Sequence, residues 1–174
     1  MATIRRATFA DADAIGRVHV RAWQAAYRGV MPDRFLDGLD PAQRAAMWRE
    51  RLRHDEESVD TLVAIDAGAV VGFAVAGSAR DEDAGGAGEL HAINLTPEAW
   101  GRGIGSELLA TSEDVLGAHG YDEAFLWVAR DNDRARSFYE QHGWVADGGE
   151  RTAEVLGARV DEVRYRKRLW DEAA

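Results

Sequence analysis

The feature that most constrains this fold is a glycine-rich turn between an apolar strand pattern and the start of a helix. Residues 95–106 read Leu-Thr-Pro-Glu-Ala-Trp-Gly-Arg-Gly-Ile-Gly-Ser, and a helical run follows directly. Because glycine lacks a Cβ atom, backbone N–H groups in such a turn can approach a ligand closely. A helix N-terminus adds unpaired N–H donors and the positive end of its dipole. The turn therefore predicts an anion site, above all for phosphate or pyrophosphate.

The glycine spacing argues against two common phosphate-binding turns. A dinucleotide-binding turn reads G-x-G-x-x-G, but counting from Gly101 or Gly103 places Ser106 or Leu108 at the third glycine. A P-loop ends in G-K-S/T, and the one lysine of the sequence, Lys167, lies far downstream. A strand-to-helix turn without a ligand remains the alternative at this point.

Composition narrows the classes of partner. The 174 residues suit one domain spanning 1–174, and the net charge of −10, from 31 acidic and 21 basic residues, argues against a nucleic-acid partner. The same acidity would attract a cationic substrate such as an amine, with solubility alone as the alternative reason for it. Cysteine is absent, which excludes a thiol nucleophile. We expect no membrane span and, since the sequence begins without an apolar leader region, a cytoplasmic location.

Hydrophobic periodicity predicts the element order β-α-α-β-β-β-α-β-α-β-β. A hairpin is expected around residues 66–68, strands over 89–95 and 124–128, and final strands at 144–145 and over 155–166. Strand–helix–strand units imply parallel pairing, whereas hairpins imply antiparallel pairing. The prediction is an α/β (α+β) fold with a mixed, largely antiparallel central sheet of about seven strands and helices on both faces.

Two motifs carry a resemblance to a known family. Residues 100–105, W-G-R-G-I-G, resemble the pattern Q/R-x-x-G-x-G/A, with Trp100 departing from the usual glutamine or arginine. Residues 132–144, N-D-R-A-R-S-F-Y-E-Q-H-G-W, match every specified position of N-x-x-A-x-x-F-Y-x-x-x-G-F/W. Both patterns are typical of the GNAT family of acetyl-CoA-dependent N-acetyltransferases, which the chain resembles over nearly its whole length.

The resemblance implies acetyl-CoA as co-substrate. Its pyrophosphate would bind the turn, its pantetheine arm would run between the strands ending at Leu95 and Val128, and the N–H of Leu95 would polarise the acetyl carbonyl. The implied cofactor-binding residues are Ile93, Asn94, Leu95, Gly101, Arg102, Gly103, Ile104, Gly105, Ser106 and Asn132. Arg102 has an alternative as an ordinary exposed arginine, and Asn132 as a helix cap alone. No metal site is expected, because no histidine pair has a ligand's helical spacing.

Direct acetyl transfer to an amine needs a proton acceptor for the amine and a proton donor for the departing thiolate. Tyr139, at the family's tyrosine position, is the predicted acid; a packed aromatic is its alternative. Glu89 is the predicted base, because the histone-acetylating branch of the family has a glutamate at this spacing from the glycine motif. His91 is the rival base, since imidazole titrates near neutral pH. A strand period of two predicts that Glu89 and His91 share a face with Ile93 and Leu95.

The acceptor side is expected to involve aromatic residues. Trp23 and Tyr27 lie four apart on a predicted helix, and Trp127 lies on the strand opposite the cleft; each has an alternative as core or dimer contact. The expected partner is a small-molecule amine. A protein lysine or N-terminal acetyltransferase and a non-catalytic acyl-CoA-binding module remain alternatives. The resemblance also allows a homodimer, since dimers are frequent among similar proteins.

Overall fold

The computed structural model describes residues 1–54 and 56–170, and these residues form one seven-stranded mixed sheet. The strand order is β1-β2-β3-β4-β5-β7-β6, and every neighbouring pair is antiparallel except β4 and β5. The predicted sheet is thereby confirmed. The strands are β1 Thr3–Arg6, β2 Val59–Asp66, β3 Ala69–Ser78, β4 Gly88–Leu95, β5 Glu123–Ala129, β6 Val145–Val155 and β7 Ala158–Arg168.

Helices cover both faces of the sheet, as predicted. They are α1 Ala12–Ala26, α2 Asp33–Asp37, α3 Pro41–Arg53, α4 Ile104–Ala118 and α5 Asp133–Gln141. Apolar side chains of α1 and α3, such as Ile15 and Trp48, pack with Phe73 on one face. Those of α4 and α5, such as Leu108 and Tyr139, pack on the other face. Among the described helices, none has the length and hydropathy needed to cross a bilayer.

Local signals account for several helix ends. Asp40 accepts a hydrogen bond of 2.9 Å from the N–H of Ala42, and Pro41 occupies the first helical position of α3, where its fixed φ is favourable. Gly120 takes a φ of +92° after α4, a left-handed conformation that glycine adopts without strain. These boundaries agree with the sequence prediction.

The last two strands differ from the prediction. Residues 155–166 were expected to form one strand, but the chain reverses at Leu156 and Gly157, which have φ values of +52° and +86°. A two-residue hairpin turn of this kind requires positive φ at both central residues. Leucine rarely adopts that conformation, so the apolar run Val-Leu-Gly-Ala looks like continuous strand. Strand β6 consequently begins at Val145 and continues to Val155.

A β-bulge at His91 changes which residues of β4 share a face. Leu90 pairs with Ala76 and Ala92 pairs with Val75, so His91 is an extra residue in β4. Leu90 packs with Ile93 and Leu95 in the core beneath α4, whereas Ala92 packs on the α1 face. The expectation that Glu89 and His91 share a face with Ile93 and Leu95 is therefore wrong, because a bulge reverses the alternation beyond it.

Candidate active site

The site is built around a separation of the two parallel strands. Within the described strands, β4 and β5 pair only at Gly88 with Ala124 and at Glu89 with Phe125. Beyond this point the β5-facing edge of residues 90–95 has no strand partner, and a cavity of about 850 Å³ lies in the gap. Backbone N–H and C=O groups along that edge can therefore pair with an extended guest.

The glycine turn lines this cavity. Gly101 and Gly103 have φ values of +70° and +81°, and an added Cβ at either position would have no heavy atom within 4 Å. Positive φ, rather than crowding, therefore calls for glycine here. Gly103 is the cap residue of α4, so the free N–H groups of the first helical turn, which includes Ile104, Gly105 and Ser106, follow directly.

Polar side chains near the turn are already engaged. His142 Nδ1 lies 2.7 Å from the Phe138 carbonyl oxygen, which can only accept, so Nδ1 carries a proton. In the neutral ring Nε2 then accepts from the Ser106 hydroxyl at 2.8 Å. Arg102 pairs with Asp66 at 2.8 Å on the β2–β3 hairpin. The predicted phosphate contact of Arg102 would require the guanidinium to serve Asp66 and the phosphate together.

Trp100 replaces the family's usual polar residue with a different set of contacts. Its indole N–H donates to the Leu95 carbonyl at 3.2 Å, and the Arg134 guanidinium lies 3.6 Å above the ring centroid. Arg134 belongs to the first turn of α5, so Trp100 connects the end of β4 to α5 across the mouth of the cavity. Neither contact could be read from the motif, in which both positions are unspecified or atypical.

Tyr139 projects from α5 into the cavity wall. Its side chain is 7% exposed, and burial raises the pKa of its hydroxyl above the usual value, with the negative charge of an ionised Tyr27 as a smaller contribution. Among the described residues, no side-chain hydrogen bond engages this hydroxyl. A protonated phenol is therefore available to a ligand over the whole physiological pH range.

Tyr27 and Asn132 form the adjoining wall. Asn132 caps α5 by accepting from the N–H of Ala135 at 3.1 Å, so its predicted capping role is present. Burial raises the pKa of Tyr27, a hydrogen bond with Asn132 opposes this shift, and Glu162 adds to it. Trp23 packs against Tyr27 with 4.5 Å between ring centroids. Both rings line the cavity, and their predicted contact with the acceptor stays a prediction.

Trp127 lines the cavity but its ring is already occupied by cations. The guanidinium of Arg151 lies 4.3 Å from the ring centroid, and that of Arg164 lies 5.4 Å away. The indole N–H donates to Asp81 at 2.8 Å. These two guanidinium groups compete with a cationic substrate for the Trp127 ring.

The two predicted bases occupy different environments. The Glu89 side chain is 0% exposed, and its carboxylate accepts from the Arg80 backbone N–H at 2.9 Å and from the Arg80 guanidinium at 2.5 Å. It does not line the cavity, whereas His91 does. His91 Nε2 lies 2.8 Å from the Ser78 carbonyl and 3.8 Å from Glu89. Burial lowers the pKa of His91, so the imidazole is neutral near pH 7.

Three further charged residues in the cavity wall were not predicted. Arg51 comes from α3, Arg80 follows β3, and Glu162 comes from β7. No local motif marks them, because each reaches the cavity through long-range packing. For metals, the described part of the chain contains no group of three candidate ligand side chains.

Comparisons with known proteins agree with this geometry. The family model "Acetyltransferase (GNAT) family" matches residues 21–144. The Bacillus subtilis protein named uncharacterized N-acetyltransferase YuaI is 34% identical over 164 residues, covering 94% of this chain and 91% of that protein.

Solved structures show the same fold at lower identity. The PaiA N-acetyltransferase of Thermoplasma acidophilum, solved with coenzyme A, has a TM-score of 0.76 at 19% identity, with 97% of this chain and 99% of that chain covered. YncA of Salmonella typhimurium, a putative acetyltransferase solved with acetyl-CoA, has a TM-score of 0.71 at 23% identity, with coverages of 100% and 97%. By the match of the family model and the similarity to YuaI, the chain belongs to the acetyltransferase (GNAT) family of acyl-transferring enzymes.

Proposed function

We propose that this enzyme moves an acetyl group from acetyl-CoA directly to a primary amine of a small molecule. The observation that carries the proposal is the cavity between β4 and β5. It brings the glycine turn, the unpaired edge of β4 and the Tyr139 hydroxyl to one continuous space. Binding, carbonyl polarisation and proton donation to the leaving group are thereby available in a single site.

The residues present fit the proposed co-substrate. The N–H groups from Gly101 to Ser106 are suited to a pyrophosphate. The amides of the pantetheine arm can pair with the free edge of Ile93 and Asn94, with the N–H of Leu95 polarising the acetyl oxygen. When bound, acetyl-CoA supplies a thioester whose acyl carbon accepts the amine.

Proton movement on the amine side requires a base, because a free primary amine is mostly protonated at neutral pH. His91 is the better placed of the two predicted bases, since its ring lines the cavity and is neutral near pH 7. His91 Nε2 faces the Ser78 carbonyl and so carries the proton of the neutral ring, and the amine proton passes through water to Nδ1. Glu89 serves as a positioning residue that fixes Arg80 beside the ring; its predicted role as the base stays a prediction.

Tyr139 completes the reaction on the leaving-group side. The nitrogen–carbon bond forms as the carbon–sulfur bond breaks, and the Tyr139 O–H gives its proton to the departing sulfur. The second proton, which the nitrogen loses as it becomes an amide, restores the Tyr139 hydroxyl. Burial keeps this hydroxyl protonated. No covalent protein intermediate is needed, in keeping with a sequence that has no cysteine.

The size of the cavity favours a small acceptor over a protein. About 850 Å³ has to contain the pantetheine arm and acetyl group of the cofactor as well as the acceptor, which leaves room for a small molecule. The acceptor is enclosed by aromatic walls from α1 and α3, including Trp23, Tyr27 and Trp48.

The test is release of free thiol from acetyl-CoA with a panel of primary amines. Tyr139→Phe is expected to lower kcat by about 10²-fold or more, the usual contribution of a positioned acid, while acetyl-CoA affinity stays within a few-fold. Tyr121→Phe is the matched control, because it removes a phenol hydroxyl beyond the end of α4, outside the cavity.

Two outcomes would contradict the proposal. If Tyr139→Phe turned over amines as fast as the parent enzyme, Tyr139 would not be the acid. If acetyl-CoA bound but no amine released thiol, the protein would be a binding module rather than a transferase.

A further inference from the structure

The two ends of the cavity differ in charge. The arginine end consists of Arg51, Arg80 and His91, and the tyrosine end consists of Tyr27, Tyr139 and Glu162. A row of rings from Trp48 through His19 and Trp23 to Tyr27 connects them, with successive centroids 6.1, 6.2 and 4.5 Å apart. A guest that spans the cavity therefore meets two arginines at one end and a carboxylate at the other.

The arginine end is positive on balance. Arg80 uses its Nε and one terminal nitrogen on Glu89, which leaves its other terminal nitrogen available to a ligand. The Glu89 charge is thereby matched by Arg80, and the Arg51 charge is additional. Arg51 lies over the Trp48 ring at 5.5 Å.

Neighbouring charges contribute to the shifted pKa values of His91 and Arg51. Burial is the main cause of the lowered pKa of His91, and both Arg80 and Arg51 lower it further, against an opposing effect of Glu89. Burial also lowers the pKa of Arg51, which Glu56 partly offsets from outside the cavity. Arg51 is partly exposed to solvent and lines the cavity, where its guanidinium can form charge-assisted hydrogen bonds with a bound anion.

The tyrosine end is suited to the amine. Glu162 is 8% exposed and accepts from Arg151 Nε at 2.7 Å through one carboxylate oxygen. It lines the same cavity as Tyr27 and Tyr139, and its charge adds to the raised pKa of Tyr27. A carboxylate there attracts an arriving ammonium group before it loses its proton.

We propose that the acceptor is an amino-acid-like molecule, an amine whose far end carries a carboxylate or similar small oxyanion. This inference rests on the proposed function. Arg51 and Arg80 hold the oxyanion while the amine lies at the tyrosine end. The acceptor thus differs from the cation that the net charge of −10 favours, because that charge describes the whole protein and not the wall of this cavity.

The experiment compares amino carboxylates of graded length with alkylamines and diamines of equal length, using thiol release from acetyl-CoA. We expect kcat/KM for the best amino carboxylate to exceed that of the matching alkylamine by about tenfold or more, the effect of one charge-assisted hydrogen bond. Diamines are expected to be the poorest acceptors.

Variants assign the preference to the arginine end. Arg51→Gln is expected to narrow the ratio between amino carboxylate and alkylamine by about tenfold, and Arg51→Lys to retain part of it. Arg53→Gln is the matched control, because Arg53 lies on the same helix but pairs with Glu50 on an exposed surface. It is expected to leave the ratio unchanged.

The outcomes separate this inference from the proposed function. Alkylamines or diamines that react as well as amino carboxylates would overturn it while leaving amine acetylation intact. An equal effect of Arg51→Gln on all acceptors would also overturn it. Absence of thiol release with every amine would instead contradict the proposed function.

Discussion

Acidification is expected to destabilise the acceptor side of this enzyme through one buried histidine. His19 is 9% exposed, with its ring against Phe73 at 5.4 Å between centroids. The Trp48 indole donates to His19 Nδ1 at 3.2 Å, so the neutral ring is the form that fits. Burial, assisted by the charge of Arg44, lowers the pKa of His19 from 6.5 to about 4.

The sign of the effect follows from proton binding in the two states. Between pH 6.5 and about 4, His19 is protonated in the unfolded chain but neutral in the folded protein. The free energy of unfolding therefore falls as the pH falls through this window, and the contribution is fully present only above the unfolded pKa. Integrated from pH 7.5 down to pH 5, these two pKa values correspond to a loss of about 2 kcal/mol.

Urea unfolding followed by tryptophan fluorescence, at pH 7.5 and pH 5, measures this loss. Other groups also titrate in the window, so the informative quantity is the difference between the wild type and His19→Gln. Glutamine keeps an acceptor for the Trp48 N–H but has no titration. The wild type is expected to lose about 2 kcal/mol more than the variant. Equal losses in the two proteins would refute the assignment to His19.

Two further predictions concern the base and the glycine turn. His91→Gln is expected to lower kcat/KM by about 10²-fold and to remove the loss of activity at acid pH. In the wild type this loss is expected below pH 6.5, because burial lowers the pKa of His91. An unchanged pH–rate profile would exclude His91 as the base. Gly103→Ala is expected to lower the free energy of unfolding in urea by about 1 kcal/mol, because alanine is strained at the positive φ of this position. The control Gly105→Ala is expected to have no such effect, since its Cβ would lie an ordinary 3.6 Å from Phe138. Equal losses in the two variants would contradict backbone strain at Gly103.

The parts of the fold that were predictable follow short-range rules. The helix cap at Asp40, the stop at Gly120 and the glycine turn each depend on a few neighbouring residues. The reversal at Leu156 and Gly157 was missed because nothing in an apolar Leu-Gly pair specifies positive φ at leucine. The bulge at His91 was missed for a related reason: it depends on pairing with β3, which lies elsewhere in the sequence.

In the candidate site, too, residues in contiguous motifs could be predicted, whereas residues that depend on long-range packing could not. Tyr139 and the glycine turn belong to contiguous motifs that can be read from the sequence, and both line the cavity. Arg51 and Glu162 come from α3 and β7, whose meeting across the sheet no local pattern indicates. Burial of Glu89 beneath Arg80 likewise depends on the loop after β3.

The separation of β4 and β5 also affects the stability of the sheet. Strand β5 pairs with β4 at two positions only, Gly88 with Ala124 and Glu89 with Phe125, and these pairs join the C-terminal strands to the rest of the sheet. A pantetheine arm lying between the separated parts of β4 and β5 would act as a temporary eighth strand and connect the two halves of the sheet. Ligand that binds only the folded state raises stability with its concentration. The bound cofactor would then stabilise the sheet during turnover. Each release of product would briefly lower the stability of the C-terminal half of the sheet.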